Sequence, residues 1–98
     1  MEADSTRQVV SIIFTDIEGY SSLTEERPEQ AFQMIEVYRE LLTSTTEKHQ
    51  GQLVNFYGDG SLSYHASSQD AIDCAVEIQQ RIAAGTIDIP LRLSLIHI

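Results

Sequence analysis

The stretch QLVNFYGDGSLSYHA, residues 52–66, decides the fold that this sequence predicts. Its second half alternates strictly between two sets of side chains: Leu62, Tyr64 and Ala66 on one side, Ser61, Ser63 and His65 on the other. Such alternation is typical of a β-strand. Gly58-Asp59-Gly60 precedes it, and glycines can adopt the positive φ angles that tight hairpin turns need. The stretch therefore predicts a β-hairpin with Asp59 at its tip.

A strand and a loop are predicted before this hairpin. Residues 9–14 are almost continuously Val, Ile and Phe, which is typical of a central strand covered on both faces. Residues 17–27 are rich in Gly, Ser, Thr and Glu and predict a loop. Pro28 suits the first turn of a helix, whereas Ser22 and Glu25 can form an earlier capping box, so the sequence leaves two starting points for the helix.

Two amphipathic helices complete the predicted order of elements. The first ends at Gly51, and its predicted buried face follows spacings of three and four: Phe32, Ile35, Tyr38, Leu42, Thr45 and His49. Ser67 or Ser68 can cap the second helix, whose predicted buried face consists of Ala71, Ala75, Ile78 and Ile82. Gly85 closes that helix, and Pro90 opens a further strand. The β-α-β-β-α-β order predicts an α+β fold, a ferredoxin-like, palm-type sandwich with an antiparallel-rich sheet and two helices on one face.

The composition argues against several functional classes. The 98 residues include 15 acidic and 6 basic side chains, whereas nucleic-acid-binding proteins carry clustered Lys and Arg, so we expect no nucleic-acid partner. The sequence shows neither the apolar run of a membrane helix nor the pattern of a signal peptide. Cys74 is the only cysteine, which fits a reducing compartment, and its position predicts a small core residue. These features predict a cytoplasmic location, with no membrane segment in this piece.

Two aspartates stand where predicted strands end. Asp16 follows the first strand and Asp59 lies at the hairpin tip, so pairing of the hairpin beside the first strand would bring both carboxylates to one end of the sheet. About 4 Å apart, they would repel by roughly 4 kcal/mol at an effective dielectric constant near 20. Mg²⁺ or Mn²⁺ would relieve this repulsion, and such ions share the phosphates of a substrate. Residues 19–22 lead into a helix N-terminus that can bind phosphate, so the sequence predicts a metal–triphosphate site.

Each of these residues also has a purely structural explanation. Asp59 in a Gly-Asp-Gly turn is ordinary turn chemistry, and Asp16 near a helix start can be a cap. Glu18 fits an exposed loop carboxylate as well as a residue near the metal. We expect His49 to pack or to interact with the helix dipole, and His65 to be solvated on the polar face of its strand.

Two sequence signatures resemble those of a known family. Phe-Thr-Asp-Ile around Asp16 and Gly-Asp-Gly around Asp59 are separated by a long predicted helix. In this order they are similar to the catalytic domain of class III nucleotidyl cyclases, the adenylate and guanylate cyclases, over residues 9–92. The resemblance implies a homodimer that converts a nucleoside triphosphate, ATP or GTP, into a 3′,5′-cyclic nucleotide and pyrophosphate for second-messenger signalling.

The resemblance also implies roles for individual residues. In that family the aspartates that match Asp16 and Asp59 hold two ions, Mg²⁺ or Mn²⁺, and the backbone carbonyl at the Ile17 position adds a ligand. One ion would activate the ribose 3′-hydroxyl and the other would clamp the triphosphate. The triphosphate is contacted by the loop that matches Ile17, Glu18, Gly19, Tyr20 and Ser21.

The sequence departs from the family pattern at the base-reading position. Asn55 stands four residues before Asp59, where many adenylate cyclases carry a lysine that reads the purine. An amide can hydrogen-bond a base edge without carrying charge, so Asn55 is the candidate base-reading residue and the choice between ATP and GTP stays open. A degenerate cyclase-like module that binds a nucleotide or a partner without turnover is the alternative function.

The end of the sequence departs from the pattern as well. Family members continue into an Arg-Ile-Gly-Ile-His-like strand, whereas Ser94 replaces the glycine here and His97 falls one position late. Residues 93–98 also match one reading frame of a widely used transposase sequencing adapter, CTG TCT CTT ATA CAC ATC. We therefore expect an adapter-derived tail, no role for His97, and a domain truncated before the family's transition-state asparagine and arginine, which predicts that this chain alone is inactive. Residues 1–8 are expected to be disordered.

A rival resemblance involves the segment Asp16-Ile17-Glu18-Gly19. It resembles the Asp-x-Asp-Gly loop of haloacid-dehalogenase phosphatases, in which the aspartate is a covalent nucleophile. That fold expects parallel strands joined by βαβ crossovers, and the predicted hairpin that carries Asp59 argues against it.

Overall fold

Four antiparallel strands form a single sheet in the computed structural model, which describes residues 10–98. The strands are β1 (Ser11–Ile17), β2 (Gln52–Tyr57), β3 (Gly60–His65) and β4 (Leu91–His97), in the spatial order β2-β3-β1-β4. β1 pairs antiparallel with both β3 and β4, and β2 pairs antiparallel with β3. This arrangement confirms the predicted α+β, ferredoxin-like fold. The pairings among the described strands are all antiparallel, which contradicts the phosphatase alternative.

Within residues 10–98, three helices accompany the sheet: α1 (Tyr20–Glu26), α2 (Pro28–Lys48) and α3 (Ser68–Ala84). The predicted loop over residues 17–27 is therefore wrong. Gly19 turns the chain with a φ of 75°, and Tyr20 and Leu23 pack against the core, so tertiary contacts stabilise a short helix that its own propensity would not. Ser22 lies inside α1, and Pro28 is the first residue of α2.

The hydrophobic core lies between the helices and one face of the sheet. It contains Ile13 and Ile17 of β1, Tyr38 and Leu42 of α2, and Ala71, Cys74 and Ile78 of α3. The expectation that the first strand is covered on both faces is wrong, because helices cover only one face and Phe14 is 43% exposed. Val9, the first residue of that prediction, lies outside the described residues, as does the expected disordered segment 1–8.

The predicted buried face of α2 is correct in its second half and wrong at its start. Tyr38, Leu42 and Thr45 are fully buried, but Phe32 is 61% exposed. Ala31 and Met34 are buried instead, because the helix turns its small alanine towards the core and Phe32 outwards. The helix ends at Lys48, and the left-handed residue after it is Gln50, with a φ of 61°, rather than the predicted Gly51.

The prediction that His65 is solvated is also wrong. The alternation of β3 is as predicted, but its polar set, Ser61, Ser63 and His65, faces the helices. This face is turned inwards because its small serine side chains, together with Gly51, allow the helices to approach the sheet closely. Gly51 packs directly on the imidazole, and a Cβ at Gly51 would lie 2.4 Å from His65 Nε2.

The second half of the chain follows the sequence closely. Ser67 caps α3 by accepting a hydrogen bond from the Asp70 N–H at 3.2 Å, and Cys74 is buried as expected. His49 lies at the C-terminus of α2, with its Nε2 2.9 Å from Glu77 Oε1. β4 pairs with β1 from Leu91 to His97. The adapter origin of residues 93–98 stays a prediction. No helix of the described chain has the length and apolarity needed to cross a bilayer.

Candidate metal and nucleotide site

Asp16 and Asp59 lie at the same end of the sheet. The antiparallel register of β1 and β3 places Asp16 opposite Gly60, directly after the turn that carries Asp59. The Ile17 N–H donates to the Asp59 carbonyl oxygen at 3.0 Å, which closes the end of the strand pair. Both aspartates line one open cavity of about 430 Å³. Their function as metal ligands stays a prediction that this geometry supports.

Arg92 is the functional candidate that the sequence reasoning missed. It stands opposite Asp16 in the β1–β4 pairing, lines the same cavity and holds the carboxylate with two hydrogen bonds, Nε to Oδ1 at 2.8 Å and Nη2 to Oδ2 at 3.2 Å. The hydrogen bond to Asp16 raises the pKa of the Arg92 guanidinium above its ordinary range. The missing signal was the strand order, because Arg92 can reach Asp16 only if β4 adds beside β1.

A network of buried hydroxyl groups lies directly beneath the cavity. Thr15 Oγ1 is 2.6 Å from Tyr38 Oη and 2.5 Å from Ser61 Oγ, so one hydroxyl joins β1, β3 and α2. Thr15 and Ser61 also line the cavity. Burial raises the pKa of Tyr38 above its ordinary 10.0, and its phenol therefore stays protonated and available as a donor at neutral pH.

The predicted phosphate-contact loop lies next to the cavity wall but does not line the cavity. The side chain of Ile17 is in the core, 1% exposed, and its N–H is bonded to Asp59. The Glu18 N–H donates to the Pro90 carbonyl oxygen at 2.8 Å. These two amides are thus engaged within the protein, which leaves the amides of Gly19, Tyr20 and Ser21 for phosphate contact. The role of this loop stays a prediction.

Asn55 lies further along the hairpin and does not line the cavity. It is exposed on β2, opposite Leu62, next to a bulge in the β2–β3 pairing. Its Oδ1 accepts a hydrogen bond from the Phe56 N–H at 2.8 Å. Since Phe56 packs against the core, strand alternation puts Asn55 on the open face of the sheet together with Tyr57, which does line the cavity. Its base-reading role stays a prediction.

The donor set fits a magnesium-type ion held jointly with phosphates. Across residues 10–98, no group of three or more His, Cys, Asp or Glu side chains is arranged to hold a metal by itself. Mg²⁺ does not need such a group, because it is usually bound by one or two carboxylates and completes its shell with waters and substrate phosphates. Asp16 and Asp59, beside an open cavity, provide two carboxylates and room for the remaining ligands.

Comparison with known proteins finds an adenylate cyclase relative. No family model matches the chain. The chain is 32% identical over 85 residues to putative adenylate cyclase 3 of Rhizobium meliloti (strain 1021), an alignment that covers 86% of this chain and 14% of that protein. The chain thus spans about one seventh of the length of this curated relative.

Solved structures of guanylyl cyclases share the fold. The dimeric guanylyl cyclase domain of a fusion protein from Blastocladiella emersonii superposes with a TM-score of 0.78 at 16% identity, covering 92% of this chain and 57% of that chain. The guanylate cyclase domain from Catenaria anguillulae in complex with GTP gives 0.77 at 15% identity, with coverages of 90% and 55%. The fold is that of a cyclase-type catalytic domain. Together with the adenylate cyclase relative, it identifies the chain as part of a class III nucleotidyl cyclase domain.

Proposed function

We propose that this chain contributes the metal-holding part of a nucleotidyl cyclase site. The reaction would convert a nucleoside triphosphate, ATP or GTP, into a 3′,5′-cyclic nucleotide and pyrophosphate, for second-messenger signalling in the cytoplasm. The supporting observation is the cavity that Asp16 and Asp59 share at the closed end of the β1–β3 pair. An aspartate that served only as a turn residue or a helix cap would not require this convergence.

Asp16, Asp59 and the Ile17 carbonyl would hold two ions, Mg²⁺ or Mn²⁺. When bound, these ions would lower the pKa of the ribose 3′-hydroxyl and neutralise charge on the triphosphate. Arg92 balances the Asp16 carboxylate in the structure. If the oxygens of Asp16 held a cation, the Arg92 guanidinium would be free at the cavity wall to donate to an anionic phosphate.

The nucleotide would lie along the open face of the sheet. The amides of Gly19, Tyr20 and Ser21 would contact its phosphates beside Glu18. Phe14 is half-exposed on this face and lines the cavity, so it offers an apolar surface to a base or ribose. Asn55, on the same face, would hydrogen-bond the edge of the base.

Turnover is proposed for a homodimer of a domain longer than this chain. The chain covers 57% of the dimeric guanylyl cyclase domain of Blastocladiella emersonii, so that domain contains a further portion without counterpart here. The 98-residue chain alone would therefore hold metal and nucleotide without completing the reaction. Measurable cyclic nucleotide from the chain by itself would contradict this part of the proposal.

The proposal is tested in a polypeptide that completes the cyclase domain. With Mn²⁺ and ATP or GTP, we expect equimolar cyclic nucleotide and pyrophosphate, loss of both products in Asp59→Asn, and retention of both in Asp73→Asn, an exposed aspartate on α3. Nucleotide binding without pyrophosphate release would instead support the degenerate binding module. Equal product from Asp59→Asn and the wild type would contradict the metal site.

A further inference from the structure

The hydroxyl network beneath the cavity couples the two strands that carry the aspartates. Thr15 immediately precedes Asp16, and Ser61 follows Asp59 by two residues. Thr15 and Ser61 are direct partners in the β1–β3 register, and their hydroxyls are bonded to each other. A shift of one strand relative to the other at this end would therefore disturb that bond as well as the separation of the carboxylates.

Helix α2 holds the network from below through Tyr38. Its side chain is fully buried, and its hydroxyl contacts Thr15 Oγ1 at 2.6 Å and the Thr15 carbonyl oxygen at 3.5 Å. The ring packs edge-on against Phe56 of β2, with ring centres 6.0 Å apart. A single side chain of the helix therefore contacts β1 through its hydroxyl and the outer arm of the hairpin through its ring.

The next residue of the helix acts on the hairpin turn. Arg39 lies over the ring of Phe56, 5.4 Å from its centre, and its Nη2 donates to the Gly58 carbonyl oxygen at 3.3 Å. Gly58 directly precedes Asp59. The middle of α2 thus contacts the backbone next to each of the two aspartates, Tyr38 at Thr15 and Arg39 at Gly58.

We infer that Tyr38 is a positioning residue for the metal site, acting through Thr15 and Ser61 to fix the separation of the Asp16 and Asp59 carboxylates. This inference rests on the proposed function. Partners beyond the metal ligands orient those ligands, and their loss weakens metal binding even though they touch no ion. A tyrosine with a purely structural role would contribute to folding without changing the metal affinity of the folded protein.

The experiment compares Tyr38→Phe with Tyr64→Phe in the 98-residue chain. Both changes remove one phenol oxygen, but Tyr64 is 40% exposed on the open face and is outside the network. Mn²⁺ affinity is measured by paramagnetic resonance of the free ion, and the free energy of unfolding by urea titration. We expect Tyr38→Phe to weaken Mn²⁺ binding about tenfold, and Tyr64→Phe to leave it within about twofold.

Two further measurements keep the test decisive. Ser61→Ala removes only the hydroxyl that bonds Thr15 from β3 and should also weaken Mn²⁺ binding. It replaces Tyr38→Phe in the test if that variant does not fold. Hydrogen exchange of the Ile17 amide, which is bonded to Asp59, should accelerate in Tyr38→Phe by a larger factor than that of the Ile78 amide in α3, which follows only the global free energy of unfolding.

The outcomes separate the two proposals. If the wild type binds Mn²⁺ through Asp16 and Tyr38→Phe binds it equally well while only losing stability, the positioning role is overturned and the proposed function stands. If the wild type shows no Mn²⁺ binding that Asp16→Asn removes, the proposed function fails, and this inference fails with it. Weaker binding together with faster Ile17 exchange supports both.

Discussion

The two ends of β3 bury polar side chains in opposite ways. At the site end, the Thr15 hydroxyl is bonded to the hydroxyls of both Ser61 and Tyr38. At the far end, Ser63 Oγ and both ring nitrogens of His65 are buried and have no hydrogen-bond partner among the residues described. β3 thus carries one buried polar side chain with a hydrogen-bond partner, Ser61, and two without, Ser63 and His65.

This difference indicates that the buried polar side chains at the site end position the aspartates, whereas those at the far end allow the helices to pack closely on the sheet. Hydrogen bonds are directional, so a satisfied network fixes where the neighbouring aspartates stand. An unsatisfied buried polar group costs free energy, and the far end tolerates that cost because small residues there admit close contact between the layers, as Gly51 does against His65. Changes at the far end should alter stability alone, and changes at the site end should alter stability and metal binding together.

The largest expected effect on stability is at Gly51. Gly51→Ala would place a methyl group against His65 and Thr46 Cγ2, at 2.4 and 2.8 Å, and overpacking of this kind costs about 3 kcal/mol. Urea denaturation measures the loss, with Gly85→Ala as the matched control, because the nearest atom to a Cβ there is 3.4 Å away. Equal destabilisation by the two variants would contradict the packing at the far end.

The next effect compares one buried hydroxyl from each end. Thr15→Val removes the shared partner of Tyr38 and Ser61 and should cost about 1–3 kcal/mol. Ser63→Ala removes a hydroxyl that has no partner within residues 10–98, so it should leave the free energy of unfolding unchanged or raise it. Urea denaturation of both variants measures the free energy of unfolding. A greater loss of stability in Ser63→Ala than in Thr15→Val would contradict the contrast between the two ends.

A third prediction concerns acid. Burial lowers the pKa of His65 below its ordinary 6.5; Asp70 opposes this shift and His49 adds to it. The unfolded chain therefore takes up the proton first, so the free energy of unfolding is at its full value above pH 6.5 and falls as the pH drops below it. Denaturation midpoints across this range measure the effect, and His65→Leu should flatten the profile. An unchanged profile in His65→Leu would show that another group causes the loss.

The smallest expected effect is at Arg92. Arg92→Met removes a cation that competes for Asp16 and repels a divalent ion, so Mn²⁺ affinity without nucleotide should rise about twofold to fivefold, in keeping with an exposed ion pair. Arg81→Met, which breaks the pair with Glu77 away from the cavity, is the control. Weaker Mn²⁺ binding in Arg92→Met would contradict this competition and mean that Arg92 orients the Asp16 carboxylate for the ion.

Local patterns predicted the elements that carry the site. The alternation after Gly60 and the glycines around Asp59 specify the hairpin, and the apolar run before Asp16 specifies a strand, because these signals depend only on neighbouring residues. The β-α-β-β-α-β order then indicated the sheet, which the structure confirms.

Features that depend on tertiary contacts were not predictable in the same way. The burial of His65 and the exposure of Phe32 depend on which face meets the helices, and alternation alone does not choose a face. The short helix α1 depends on Tyr20 and Leu23 packing against the core. The Asp16–Arg92 pair joins residues 76 positions apart, so it becomes visible only with the strand order.

The most direct test of the central claim is a Mn²⁺ titration of the 98-residue chain and three aspartate variants. Asp16→Asn and Asp59→Asn should each weaken binding by more than about 100-fold, since each removes a ligand and not merely a supporting partner. Asp73→Asn should bind as the wild type does. Equal Mn²⁺ binding by the wild type and all three variants would contradict the claim that Asp16 and Asp59 together form a divalent-cation site.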